Sequence, residues 1–411
     1  MIKEYIYPDS KAWNWRENCP FARSVIAGDQ IFISGQQTLD ENGLTCDPDD
    51  IAAQTRNVFE NMKSSLAQVG LELSDLVRLN TYYVFNGADE DATEYWEKMT
   101  QVRLEYFPNP GPAATAVRIK GMPYEGQLIQ IEGVALRGES RKNRERIMPE
   151  GSWDWSVSVP LSQGWKIGDR IFVGGQISAD KQGQSVGVRD LTKQTRNVYK
   201  FIGSVLSDAG ASMDDIVRLK VCYKYDSKEQ SGQSFCDKII ELTHEFFEEP
   251  GPALSAFGVD LLYPGLDLEI DAMAIVGHKQ RALRSSDLGG RYQPDMFADG
   301  IGASDETYVG GQVALGPDNS VLCEGDAFGQ AIIVFKRLAQ VLANDHLSLD
   351  DIVKLNIFMV GDGVDVEKEF HAILLAWSTS APNAHPAMTA VRVHELPQPG
   401  LLVQAVCVAL R

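Results

Sequence analysis

One eight-residue run constrains this chain more than anything else, because it is written three times. Pro112-Ala113-Ala114-Thr115-Ala116 opens the first copy and Pro252-Ala253-Leu254-Ser255-Ala256 the second, and Pro386-Ala387-Met388-Thr389-Ala390 opens the third. Other anchors keep the same spacing. Gln54-Thr55-Arg56-Asn57-Val58 returns as Gln194-Thr195-Arg196-Asn197-Val198, an offset of 140. Asp75-Leu76-Val77-Arg78-Leu79 returns at Asp215 and at Asp351, and Ser34-Gly35-Gln36 returns as Gly174-Gly175-Gln176 and Gly310-Gly311-Gln312. Trp13-Asn14-Trp15 recurs only once, as Trp153-Asp154-Trp155, so the first two copies are the closer pair. A period this long exceeds the 20–50 residues of solenoids, and each copy is large enough to be a domain. The expected division is 1–138, 139–279 and 280–411.

Within the first copy, apolar spacing predicts a hairpin over 25–33 and amphipathic helices over 49–69 and 91–107. It also predicts a strand over 76–85 and a closing hairpin made of the signature run and 128–136. Residues 138–151 and 279–290 read as exposed linkers. The order β-β-α-β-α-β-β with both helices on one sheet face gives an α+β layer. The bare face must be buried, and three copies on one chain suggest a ring with the sheets inward, a covalent version of a homotrimer.

Composition narrows the function. A net charge of −19 over 411 residues repels phosphate backbones, so nucleic acid is a poor partner. No apolar run approaches a membrane span, and the first residues carry charge and no cleavage site, which makes the expected location cytoplasmic. Six cysteines without C-x-x-C spacing fit reduced structural thiols. His244-Glu245 lacks the second histidine of H-E-x-x-H and no phosphate-binding glycine pattern is present, so neither a metal nor a nucleotide is expected.

Together the G-D-x-I-F-[IV]-[SG]-G-Q block, Q-T-R-N-V, D-[LI]-V-[RK]-L and P-A-x-[TS]-A resemble the reactive intermediate deaminase (RidA, or YjgF) family over nearly all of each copy. The resemblance implies a chorismate-mutase-like fold, here an intramolecular pseudo-trimer, with small-molecule clefts between units; whether the ring dimerises further is left open by the sequence. It also implies cofactor-free hydrolysis of a small enamine or imine to a carbonyl product and ammonia. The family's carboxylate-gripping arginine is replaced by Ala114, Leu254 and Met388, so a non-standard substrate is expected. The alternatives are a small-molecule-binding protein and a scaffold without catalysis. The family's acidic residue on the last strand maps to Gln130, Glu269 and Leu402.

Candidate catalytic groups are Glu269 and Asp271, two carboxylates on one strand face that can split their pKa values, and the corresponding Glu132. Candidate substrate contacts are Arg118 and Arg392, about 13 Å along the strand from the lost arginines. Thr115, Ser255, Thr389, Ser34, Gly35, Gln130 and the aromatic Phe21 complete the set. For the hydroxyls the commoner role is closing local backbone hydrogen bonds, and for Phe21 core packing stands as an equal alternative to a place over the cleft.

Overall fold

The computed structural model describes residues 2–7, 21–155, 158–225, 232–285, 296–361 and 365–411. Trp13, Trp15, Cys19 and the end of the second linker lie outside them. The first unit runs β1 (Lys3–Ile6), β2 (Ser24–Ala27), β3 (Gln30–Gln36), α1 (Ile51–Ala67), β4 (Leu76–Val84), α2 (Ala92–Tyr106), β5 (Ala113–Ile119) and β6 (Ile129–Leu136). The second repeats this as β7 (Arg144–Ile147), β8 (Gly164–Ile167), β9 (Arg170–Ile177), α3 (Leu191–Asp208), β10 (Ile216–Lys224), α4 (Gly232–His244), β11 (Ala253–Val259) and β12 (Leu268–Ile275). The third comprises β13 (Arg281–Leu283), β14 (Gly300–Ala303), β15 (Glu306–Val313), α5 (Ala327–Ala343), β16 (Ile352–Met359), α6 (Val366–Ser380), β17 (Ala387–Arg392) and β18 (Val403–Leu410).

Each unit is a six-stranded sheet, ordered β1-β2-β3-β6-β4-β5 in the first. This corrects two expectations. The signature strand and the last strand form no hairpin. β5 lies parallel to β4 after the α2 crossover, and β6 inserts antiparallel between β3 and β4. The stretches read as linkers each carry a strand, β7 or β13, that adds to the edge of the following sheet.

The Q-T-R-N-V motif has a mechanical explanation. Asp50 caps α1 by accepting from the backbone N–H groups of Ala52 and Ala53. One turn on, Gln54 donates to the Asp47 and Gly126 carbonyls and accepts from the Leu128 N–H at 2.8 Å. A buried amide so engaged ties the helix to the entry of β6. Gln194 and Gln330 make the same bonds in the other units.

The helices cover the outer sheet faces, and Val58, Met62 and Leu66 of α1 are fully buried there. The inner faces meet in a core drawn from all three sheets, including Phe32, Phe172, Tyr308, Val77, Val217 and Val353. Backbone bonds cross three seams in a cycle. Asp260 N–H donates to the Arg118 carbonyl at 2.8 Å, Gly251 N–H to Met296, and Ala22 N–H to Pro386. Units one and two, two and three, and three and one are thereby joined. Among the described residues, no helix is long and apolar enough to cross a membrane.

Candidate active site at the seams

The Gly-Gln signature marks a β-bulge. Pairing of β3 with β6 shifts between Ile33 and Gln36, and β9 and β15 shift at the same place. The bulge brings a glycine against a side chain of the last strand. A Cβ on Gly35 would lie 2.5 Å from Gln130, on Gly175 1.9 Å from the Glu269 carboxyl, and on Gly311 2.7 Å from Gln404. The third member of the set is therefore Gln404, not Leu402, and the equivalent of Asp271 is Val406. A two-residue slip keeps every side chain on its own face, so alternation alone could not detect it. Gly175→Ala forces the Glu269 carboxyl out of place. A loss of about 1–3 kcal/mol is expected in denaturant unfolding, smaller when Glu269 is also trimmed to Ala.

At the seam of units one and two, Glu269 is 3% exposed and accepts a hydrogen bond from the backbone of Ala116 in the neighbouring unit. Burial, reinforced by the Asp271 charge and only partly offset by Lys220, pushes its carboxyl up to about 8. Asp271, two residues on, goes the other way. Burial would raise it, but Arg78 and Lys220, at 2.5 and 2.7 Å, and then Arg218 outweigh that and hold it ionised. Thr115 donates to Asp271 and accepts from Arg78. Two carboxylates on one strand are thus driven to opposite protonation states. Asp271 is a saturated ion-pair partner, leaving Glu269 as the group able to move a proton.

At the seam of units three and one, Glu132 accepts from Asn80, Asn356 and Thr389 and pairs with Lys354 at 2.7 Å. Burial opposes its ionisation, but Lys354 and Lys220 prevail and hold it at about 2. A group so tightly held in the carboxylate form cannot serve as an acid or base near neutrality, which removes Glu132 from the catalytic candidates. Gln130, beside it, donates weakly to the Gly35 carbonyl. Thr389 also accepts from Gly35 N–H and from Lys354, while Ser34 donates to Ala22 and accepts from Met388 N–H. Ser255 makes one long bond to the Leu219 carbonyl. Thr115, Thr389 and Ser34 thus tie seams together, whereas the Ser255 bond stays within unit two. Phe21 stacks on Trp377 of α6 with centroids 6.1 Å apart, packing across the seam instead of roofing a cleft.

The two arginines part company. Arg118 is 5% exposed, ion-paired to Asp260 of unit two at 3.2 Å and set over the Phe85 ring, so it is committed to the seam. Arg392 lines a cleft of about 900 Å³ at the seam of units three and one, together with Lys120, Tyr124, Glu125 and Glu367. The corresponding space beside Arg118 has shrunk to about 10 Å³ under Tyr263. Nearby, Trp96 and Trp155 stack at 5.0 Å, with Trp153 edge-on to Trp155. Glu269 and the larger cleft thus belong to different seams.

Sequence reasoning missed the cations on β4, β10 and β16. Arg78, Arg218 and Lys354 are the fourth residue of D-[LI]-V-[RK]-L, read there only as a strand marker. A charge repeated three times inside a buried strand was the available signal. Among the described residues no cluster of His, Cys, Asp and Glu could hold a metal.

Comparison with known proteins agrees with the three-unit architecture. The endoribonuclease L-PSP family pattern matches residues 16–137, 155–276 and 293–411. A RutC family protein of Pyrococcus horikoshii is 33% identical over 118 residues, 29% of this chain and 87% of that one. The 3-aminoacrylate deaminase RutC of Acinetobacter baylyi is 34% identical over 135 residues, 33% of this chain and 98% of that one. Among solved structures, a chorismatase covers 82% of this chain and 93% of its own with a TM-score of 0.51 at 12% identity, a likeness of fold alone. With three matches that together span most of its length, the chain belongs to the endoribonuclease L-PSP family, the RidA group its motifs resemble, and carries the family's unit three times in tandem.

Proposed function

We propose that this protein is a cofactor-free deaminase hydrolysing a small imine or enamine that lacks a carboxylate, with its chemistry at the seam of units one and two. The observation that carries this reading is Glu269, a buried carboxyl pushed up to about 8 beside an ion-paired Asp271. Below that pH Glu269 is neutral and can donate a proton to the enamine carbon or imine nitrogen. The carboxylate so formed then takes a proton from water as the oxygen attacks the C=N carbon. As the carbinolamine collapses, the reprotonated Glu269 gives its proton to the leaving nitrogen and takes the hydroxyl proton, so that the C–N bond breaks and ammonia and the carbonyl product are released. No metal or organic cofactor is required.

The substrate class follows from the missing charge. Ala114 stands where the carboxylate-binding arginine is expected, and Arg118 is already paired with Asp260. A substrate carboxylate would be desolvated there without a partner. Ammonia release from neutral imines should therefore exceed that from 2-imino acids by at least about tenfold in kcat/KM, a difference of about 1.4 kcal/mol. The opposite preference would refute the substrate assignment.

A second reading, small-molecule binding without turnover, is favoured by one feature. The 900 Å³ cleft beside Arg392 lies at a seam where Gln130 replaces the glutamate. Ligands that raise the melting temperature without releasing ammonia, unaffected by Glu269→Gln, would select it.

A further inference from the structure

Where the three inner sheet faces meet, one side chain does not follow its sisters. Arg78 and Lys354 each reach into the next unit. There they donate to a strand carbonyl, Val173 or Ile33, and pair with a carboxylate, Asp271 or Glu132. Arg218 occupies the same register position in unit two. The residue awaiting it in unit three is Val406, which carries no charge.

Arg218 turns back instead to Asp271 of its own unit. That contact is long, 3.4 Å, to a carboxylate already held by Arg78 and Lys220. Its Nε is buried with no hydrogen-bond partner among the described residues. Its side chain keeps 18% of its surface accessible, against 5% for Arg78 and 10% for Lys354.

All three cations line one cavity of about 50 Å³ with Asn80, Asn356 and Glu132, walled on the apolar side by Phe32, Phe172, Tyr308, Met273 and Val408. Space of that size holds a few waters or one small ion. Near one end of the cavity Gln30, Arg170 and Glu306 interlock across the three units, and the Arg170 charge is met by Glu306 and Asp29. In the cationic layer itself, Arg78, Arg218, Lys220 and Lys354 meet the ionised carboxylates Glu132 and Asp271, while Arg78 and Lys220 also face Glu269, whose carboxyl is protonated at neutral pH. Four cations against two ionised carboxylates leave positive charge in excess in surroundings where solvation is poor.

We propose that this cavity is a binding site for a small inorganic anion, seated against Arg218 in the place of the carboxylate that Val406 lacks. The anion satisfies the Arg218 guanidinium and offsets the excess charge. It completes at the third seam what Asp271 and Glu132 supply at the other two.

Bromide is the probe. Crystals of the full chain grown with sodium bromide in place of chloride should show an anomalous peak in the cavity within contact of Arg218. In solution, bromide should raise the melting temperature saturably relative to gluconate at equal ionic strength. Val406→Asp, which supplies the charge from the chain, and Arg218→Met, which removes the demand, should each abolish both signals. An empty cavity in the wild-type bromide crystal, which depends on no variant folding, overturns the proposal. So does a bromide-specific shift that persists in either variant.

Discussion

Replacement of Glu132 by Ala is expected to destabilise the protein by about 3–5 kcal/mol in denaturant unfolding. The side chain accepts from three groups of unit three, Lys354, Asn356 and Thr389, and from Asn80 of its own unit. Its removal leaves a buried ammonium unpaired and several donors unsatisfied at one seam. Glu132→Gln should cost less, because an amide still accepts one of these bonds, yet Lys354 remains uncompensated. The pH dependence has a definite sign. With the folded carboxyl at about 2 and its ordinary value 4.5, the Glu132 contribution is complete above about 4.5 and is lost as pH falls towards 2. The wild type should lose this increment in acid and the Ala variant should not.

The second large effect is on turnover. Glu269→Gln should lower ammonia release from a neutral imine by about 10²–10⁴-fold, the usual worth of a positioned acid or base. The same variant should flatten a stability slope. Folding holds a proton on Glu269 between about 4.5 and 8 that the unfolded chain has released, so wild-type stability declines across that window and levels off above it. Gln carries no such proton. The variant should therefore be less active everywhere and relatively more stable at pH 8 and above. A merely structural residue would show the second change without the first.

Much of this was readable from the chain. Three-fold repetition and the two helices per unit followed from spacing. Glu269 stood out because a second carboxylate lies two residues away on the same face. The failures have physical causes. β7 and β13 are short edge strands, Arg-Glu-Arg-Ile and Arg-Ala-Leu, whose charges resemble a linker and whose partner lies in the following hairpin. β5 and β6 are neighbours in sequence, but the α2 crossover sends β5 to the sheet edge and β6 to its middle, a non-local choice. Assignment of Arg118 to a substrate required knowing that Asp260, from another unit, would claim it. Glu132 and Asp271 look alike as acids until their cationic partners from neighbouring units are placed. Contacts between copies are what one copy's pattern does not encode.

The proposed chemistry depends on one carboxyl group staying protonated at neutral pH inside the seam of units one and two. Difference infrared spectroscopy of the full chain reads this directly from the carboxylic C=O stretch. The wild type should show a buried carboxylic band at pH 7 that titrates away near pH 8 and is missing from Glu269→Gln. A band absent at pH 7, or one that survives the substitution, would contradict it.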